Sequence, residues 1–318
     1  MDNLTHTLIG YTLSRAGLNR WSPRPDLTLM LAANIPDLDM LTWFGGPLTL
    51  LDSHRGYTHC IAMLPVMAAL ATLIVCAVSR SARGWKALYA LSLIGVASHL
   101  LLDWTNTYGI RLLLPFSSEW LHLDLTHLFD VWIWVAMLIA LLGGVLGRLV
   151  SGEIGGRPES GRALAIVALA FVLAYDSARV VLHRRAIEVL ESRIYEGAAP
   201  RRTAAFPGPI NPFAWTAWVQ TSGYAKRYAL NLNSDFDPAS GKTFYDPEPS
   251  PALNAARATE PFQRMQAFSQ YPLWITLPAP DPDGGVRIEL TDWRFDFKAI
   301  AIVDRSNRVQ RAWFQYTR

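Results

Sequence analysis

The sequence predicts a mainly α-helical, polytopic membrane protein with about four transmembrane helices, a short-helix N-terminal region and a small C-terminal α+β domain. The chain has 318 residues, of which 51% are hydrophobic, and its mean hydropathy is +0.16. The apolar excess is concentrated between residues 60 and 182. After Arg184 the long apolar runs give way to alternating apolar and polar residues, which are typical of strands in soluble domains.

Four apolar runs are the predicted membrane spans. Each approaches the roughly 20 residues that a helix needs to cross a bilayer. The fourth run contains Asp176 and Arg179, whose i,i+3 spacing predicts an ion pair on one helix face. The runs are residues 61–78, 87–102, 131–146 and 163–182.

The rest of the chain divides around these spans. Residues 1–196 are predicted to form a membrane-embedded helical domain, residues 197–212 a linker rich in Pro, Gly and Ala, and residues 213–318 a soluble α+β domain. In the soluble domain we expect a hairpin near Gly223 and helices on either side of Pro261. Alternating charges at Asp292, Arg294 and Asp296 predict the solvated face of a strand.

Four spans would place the N-terminal region, residues 103–130 and the C-terminal domain on one side of the membrane. The positive-inside rule places the two short connecting loops in the cytoplasm, and the other regions outside it. The basic stretch at residues 183–185 argues against this orientation. A net charge of +3 gives no support for nucleic-acid binding. The basic loop residues are Arg80, Arg83, Lys86, Arg148, Arg157 and Arg162.

Ionisable residues occur where two predicted spans meet. His59 lies at the entrance to the first span, and His99 and Asp103 lie at the exit of the second. The i,i+4 spacing of His99 and Asp103 places them on one helix face, and an imidazole and a carboxylate can share a divalent ion. The alternative is a polar helix end that faces lipid headgroups.

Further candidates precede the first span. Asp37 and Asp39, in "NIPDLD", are close carboxylates that a cation would stabilise, or residues of an ordinary turn. His6 and His54 are candidate ligands, although a lone histidine is more often structural or exposed. Arg55 is either an interfacial anchor or a two-pronged ligand for phosphate.

The combination is more specific than its members, because histidines and aspartates gather on one predicted side of the membrane. These are the ligand types of zinc and similar divalent ions in catalytic sites. A second set lies between the second and third spans and would form either a second cluster or ordinary loop residues. This set comprises His122, Asp124, His127 and Asp130.

The motifs "DNLTH", "NIPDLD", "HRGYTH" and "SHLLLDWTNTYG", in this order, resemble the YdjM family over residues 1 to about 130. The resemblance implies an inner-membrane-associated, metal-dependent hydrolase of bacteria or archaea. This family is in turn similar to zinc-dependent phospholipase C and related nucleases. By that similarity His6, Asp37 or Asp39, His59 and the "HLLLD" pair would be ligands. The remaining histidine and glutamate ligands of those enzymes have no match here, which favours one or two ions over three.

The sequence therefore predicts a membrane-bound hydrolase with a divalent metal, zinc by the ligand types, acting on a phosphoester or phospholipid-like substrate at the bilayer surface. Asp37 or Asp39 would accept a proton, and Arg55 would bind substrate phosphate. One alternative is a non-catalytic membrane protein with a structural metal site and a partner-binding C-terminal domain. Metal transport is less compatible, because the first and third spans lack charges.

Overall fold

Helices make up the first two thirds of the chain in the computed structural model, which describes residues 1–153, 161–279 and 284–316. The predicted N-terminal short helices are present. Asp2 caps the first of them by accepting a hydrogen bond from the Thr5 amide, and Pro25 occupies the first turn of the second, where its missing N–H costs nothing. The helices are α1 (Asn3–Arg15), α2 (Pro25–Ala32), α3 (Pro47–Ser53), α4 (Leu64–Ser79), α5 (Trp85–Thr105), α6 (Val131–Glu153) and α7 (Arg162–Glu191).

Among the described residues, three helical stretches are long and apolar enough to cross a membrane. They are Ile61–Ser79, Trp85–Thr105 and Arg162–Glu191. The apolar part of α6, Val131–Gly147, is shorter, so the third of the four predicted spans, residues 131–146, stays a prediction. Arg157, one of the basic residues of the second predicted loop, lies outside the described residues.

Two glycines allow α2 to pack closely against α1 and against the long helix α5. A Cβ atom on Gly95 of α5 would lie 2.7 Å from the Cβ atom of Ala32, and one on Gly10 of α1 would lie 2.7 Å from the carbonyl oxygen of Leu29. Real Cβ atoms do not approach this closely, so larger side chains here would separate the helices. This packing brings α1, the end of α2 and the last turns of α5 together.

The C-terminal domain consists of two four-stranded antiparallel sheets and two helices. Its strands are β1 (Arg202–Pro207), β2 (Ala214–Gln220), β3 (Tyr224–Asn231), β4 (Lys242–Tyr245), β5 (Pro272–Pro278), β6 (Val286–Asp292), β7 (Lys298–Val303) and β8 (Val309–Gln315). The sheets have the orders β1-β2-β3-β4 and β5-β6-β7-β8. The helices α8 (Pro251–Arg257) and α9 (Glu260–Phe268) pack on the second sheet.

The predicted hairpin at Gly223 and the helices around Pro261 are present, whereas the predicted linker needs correction. Strand β1 lies inside residues 197–212 and pairs with β2, with Ala205 opposite Ala217. The small residues of β1 are typical of a linker in the sequence. In the structure they pack beside Trp215 on one face of the sheet and Trp218 on the other.

Two predicted charge arrangements also differ from the structure. Asp292 is fully buried and accepts from Arg294 Nε at 2.8 Å, so this pair forms an internal link and not a solvated strand face. Arg294 Nη1 also donates to the carbonyl oxygen of Thr107 at 2.9 Å, which ties the C-terminal domain to the loop after α5. Arg179 donates to the carbonyl oxygen of Leu125 at 2.7 Å, and no described ion pair joins it to Asp176.

Candidate metal centre

Two histidines from neighbouring segments direct their Nε2 atoms at each other. His99 Nδ1 lies 2.7 Å from the carbonyl oxygen of Ala33 and must donate to it. His59 Nδ1 lies 2.9 Å from Thr58 Oγ1 and 3.2 Å from Asp39 Oδ2. The Thr58 hydroxyl donates its own proton to Asp39 Oδ2 at 2.7 Å, so both neighbours of His59 Nδ1 are acceptors. A neutral imidazole carries one N–H, so both Nε2 atoms carry lone pairs, although they are only 3.0 Å apart. Two lone pairs at this distance repel each other unless a cation lies between them.

Two carboxylate oxygens face the same point. Asp103 Oδ2 lies 3.3 Å from His99 Nε2 and 3.5 Å from His59 Nε2. Asp37 Oδ1 lies 3.4 Å from His59 Nε2 and 3.8 Å from His99 Nε2. Ligand atoms bound tetrahedrally at about 2.0–2.1 Å are about 3.3–3.4 Å apart. The spacing of Asp37, His59, His99 and Asp103, which we call the four-ligand cage, therefore fits a single divalent ion.

The two oxygens of Asp103 have different surroundings. Oδ1 accepts from Arg55 Nη2 at 3.0 Å and from Asn106 Nδ2 at 3.1 Å, and it contacts the amino-terminal nitrogen of Met1. Oδ2, which faces the histidines, is buried without a hydrogen-bond partner in the described part of the chain. Hydrogen-bond donors therefore occupy Oδ1 of Asp103, and Oδ2 is available to a cation.

Asp37 and Asp39, which the sequence could not distinguish, have different positions. Asp37 Oδ2 accepts from Asn3 Nδ2 at 2.8 Å, while its Oδ1 faces the cage. Asp39 is engaged on both oxygens, by the Arg55 amide at 2.9 Å, Thr58 Oγ1 at 2.7 Å and His54 Nδ1 at 2.8 Å. Asp37 therefore has a free oxygen in the position of a ligand, whereas Asp39 uses both oxygens in hydrogen bonds and contacts His59 and His54.

The three remaining predicted residues surround the cage. His6 is buried, stacks on His99 with ring centroids 3.8 Å apart, and has its Nε2 3.4 Å from Asp103 Oδ1. His54, Asp37 and Asp39 form a second group whose ligand atoms lie close enough together to hold an ion. The guanidinium of Arg55 is buried and faces Asp103, so it presents no open surface to a phosphate.

The surroundings of the cage favour the ionised forms of Asp37 and Asp39 and the neutral forms of His6 and His54. Burial raises the pKa of Asp39, but hydrogen bonds from His54 and His59 outweigh it and hold that pKa well below its usual range. The pKa of Asp37 is lowered in the same way, by His59 and His99 against burial. Burial lowers the pKa of both His6 and His54. Ionised carboxylates and neutral imidazoles are the forms that bind metal.

The middle-loop set, His122, Asp124, His127 and Asp130, does not converge on a point. His122 Nδ1 lies 2.9 Å from Asp124 Oδ2, and its other nitrogen meets Gln270. His127 accepts from the Phe129 amide. Asp130 caps α6 through the Trp132 and Ile133 amides. The metal-competent groups found in the described ranges include none of the four.

Sequence reasoning missed several supporting groups. Asn3 and Thr58 hold Asp37 and Asp39, and the Ala33 carbonyl fixes His99. Asn3 lies one helical turn before His6, and Thr58 directly precedes His59, so proximity to a ligand was the available signal. The Ala33 carbonyl had none, because any backbone carbonyl looks alike in a sequence.

Two comparisons relate the chain to known proteins. The family model described as YdjM inner membrane protein matches residues 1–186. An uncharacterized protein, YfhP of Bacillus subtilis (strain 168), is 25% identical over 151 residues, which cover 44% of this chain and 45% of the relative. The chain thus matches less than half the length of that relative. No solved structure matches, so the resemblance to phospholipase C stays a prediction. The matched region holds the whole four-ligand cage, and the chain belongs to the YdjM inner membrane protein family.

Proposed function

We propose that this protein is a membrane-bound, metal-dependent hydrolase of phosphoesters at the bilayer surface. The supporting observation is the cage, in which two imidazole lone pairs and two carboxylate oxygens meet with no cationic side chain of the described residues between them. Zinc suits two nitrogen and two oxygen ligands. Bound there, such an ion lowers the pKa of water and polarises a phosphoryl oxygen.

The chain's own residues divide the remaining work. Asp37, His59, His99 and Asp103 hold the ion, while Asp39 and Asn106 fix the orientation of its ligands. Asp39 is fully engaged by donors, so we assign proton acceptance to His54. Its Nδ1 is held by Asp39 at 2.8 Å, which leaves Nε2 for a proton, and its lowered pKa keeps it neutral near pH 7. Arg55 stabilises the charge of Asp103.

We also propose four membrane crossings, with the site and the C-terminal domain outside the cytoplasm. The proposal rests on the apolar part of α6 and on the basic residues of the loop between α4 and α5, Arg80, Arg83 and Lys86. Reporter fusions in that loop and after β8 would report its orientation. Cytoplasmic labelling of the C-terminal domain would reverse it.

A structural metal site is the second candidate. Four protein ligands fill a tetrahedral ion, and catalytic zinc keeps a position for water. Hydrolysis would therefore require either that one protein ligand dissociates from the ion or that the ion accepts a fifth ligand. Asp37 is the candidate for dissociation, because its side chain is partly exposed.

The deciding experiment loads the purified full-length protein with Zn²⁺ and assays bis(p-nitrophenyl) phosphate and phospholipid vesicles. We expect turnover that His54→Gln lowers by about 10²–10⁴-fold while bound metal is retained. His127→Gln, a histidine outside the cage, is the matched control. A stoichiometric zinc complex without turnover on either substrate would support the structural site.

A further inference from the structure

The segment that carries Asp37 exposes an unusual apolar surface. Residues Ile35–Gly45 form an 11-residue 3-10 helix, whereas most such helices have three or four residues. With three residues per turn, residues three apart lie on one row. The row containing Pro36 and Asp39 is turned inward, and both residues are buried.

From Leu38 onward the other two rows are apolar and face outward, whereas Ile35, before them, is buried. Leu38, Leu41 and Phe44 form one row, with exposures of 42%, 60% and 88%. The other row starts at Asp37 and continues with Met40 and Trp43, both exposed. Asp37, which points into the cage, is the only charged residue on these rows. We call Leu38, Met40, Leu41, Trp43 and Phe44 the apolar rows.

The apolar rows lie beside the start of a membrane span. The 3-10 segment packs against α4, and Ile61, the first residue of the stretch Ile61–Ser79, is itself exposed. The Ile61 amide donates to the carbonyl oxygen of Leu112 at 3.0 Å. The turn that follows exposes Leu113 and, at 93%, Phe116. Three separate segments thus expose large apolar side chains near the N-terminal end of α4, which the turn with His59 precedes.

The position of the apolar rows beside a membrane span indicates that lipid covers them. Contiguous apolar patches of this kind mark interaction sites, and aromatic side chains beside a span are typical of the membrane interface. Trp43 packs edge-on against Tyr316 at 5.7 Å, an aromatic pair whose indole and phenol suit a boundary between hydrocarbon and water.

We propose that Ile35–Gly45 lies in the bilayer interface with its apolar rows against lipid, and that it presents the metal site to amphiphilic phosphoesters held in the bilayer. The position in the bilayer stands on the exposed rows and their continuity with the span. The substrate class rests on the proposed hydrolase function and narrows it, because Asp37 and the lipid-facing side chains belong to one short helix.

The position is tested with a fluorophore on Phe44→Cys, compared with the same label on Tyr245→Cys, an exposed aromatic of β4. The full chain is placed in phosphatidylcholine vesicles, and Cys60 and Cys76 are replaced by alanine. We expect nitroxide lipids to quench the label at position 44 at least twofold more than the label at 245, and aqueous iodide to show the reverse. If the cysteine-free chain does not fold, the same variants are labelled with both cysteines present, and unsubstituted protein serves as the blank.

Iodide quenching at position 44 equal to that at 245, without lipid quenching, would overturn the placement. So would protection from both quenchers, which indicates a covering protein surface such as a second copy.

The substrate class is tested with Leu41→Asn combined with Phe44→Asn, neither of which touches the cage. We expect hydrolysis of vesicle phospholipid to fall at least tenfold, with unchanged bound zinc and unchanged hydrolysis of bis(p-nitrophenyl) phosphate. Equal loss or retention on both substrates would overturn lipid presentation while leaving the hydrolase in place. Inactivity of the unsubstituted protein on both substrates would remove the hydrolase and the substrate class together, and the quenching result would still decide the position of the segment.

Discussion

The four-ligand cage and the middle-loop set contain the same residue types, two histidines and two aspartates, yet of these two sets only the cage brings its ligand atoms close enough together for an ion. The ligands of the cage come from the 3-10 segment, the turn before α4 and the last turns of α5, which are brought together by close helix packing at Gly95. The middle-loop residues span nine positions of one loop, residues 122–130.

The difference lies in how each side chain is satisfied. In the cage every ligand has one polar atom anchored by a neighbour and one directed at the shared point. In the middle loop the side chains have separate partners: Asp130 caps α6 and accepts from the Tyr175 hydroxyl, while His122 contacts Gln270. A metal site is therefore distinguished from an ordinary polar loop by ligand atoms that face one point, more than by the presence of histidine and aspartate.

The largest effect is expected for Asp103→Asn. A neutral amide is a poor ligand for zinc-like ions, and the change also leaves Arg55 without its carboxylate partner. Loss of an outer partner of a ligand costs about 10–100-fold in metal affinity, so loss of the ligand itself should cost more. Zinc per correctly inserted chain, measured by mass spectrometry, should fall sharply here and stay near the unsubstituted value in Asp124→Asn. Equal losses in both variants would remove the distinction between the two regions.

A second comparison exchanges a histidine in each region. His99→Gln removes a lone pair that faces the ion, while its carbonyl partner at Ala33 can still be satisfied by the amide. Titration with Zn²⁺ against a competing chelator should show a weakening of more than about 100-fold. His127→Gln should bind zinc as the unsubstituted chain does, and a matching loss there would place His127 in the site.

Asp39→Asn sharpens the division between ligand and orienting carboxylate. The variant keeps the shape of the side chain but weakens its hydrogen bonds to His54 and His59. We expect about 10–100-fold weaker zinc binding, a smaller effect than that of Asp103→Asn. Asp130→Asn, which can still cap a helix, is the control. A loss as large as that of Asp103→Asn would mean that Asp39 is itself a ligand.

The smallest effect is expected for Thr58→Val. It removes the hydroxyl that donates to Asp39 at 2.7 Å while preserving the side-chain volume. Zinc affinity should fall by less than about tenfold, because Asp39 keeps its other donors. Thr126→Val in the middle loop removes the hydroxyl contact to Thr105 of α5 and should leave zinc affinity unchanged. Comparable losses in the two threonine variants would indicate a general effect on packing.

Much of the cage could be predicted from the sequence. The i,i+4 spacing of His99 and Asp103 and the position of His59 at the entrance of a span follow from helical periodicity. The choice between Asp37 and Asp39 could not be predicted, because it depends on which carboxylate the Thr58 hydroxyl and the Arg55 amide reach. The inward orientation of Arg55 could not be predicted either, because it depends on the position of Asp103 in the folded chain.

The errors in the rest of the chain share a physical cause. Asp292 reads as a surface residue, but its burial is stabilised by Arg294 and by amides of the segment before β5. Asp176 and Arg179 have the spacing of an ion pair within one helix, yet Arg179 donates to the carbonyl oxygen of Leu125, which is far from it in the sequence. Spacing predicts which partners are possible within an element, and tertiary packing selects among all partners.

The most direct test of the cage is X-ray absorption at the zinc edge of the full-length protein loaded with one equivalent of Zn²⁺. The cage predicts two imidazole nitrogens and two carboxylate oxygens at about 2.0–2.1 Å, with an imidazole contribution that halves in His99→Gln and is unchanged in His127→Gln. A spectrum without two imidazoles, or one that changes with His127 and not with His99, would contradict it.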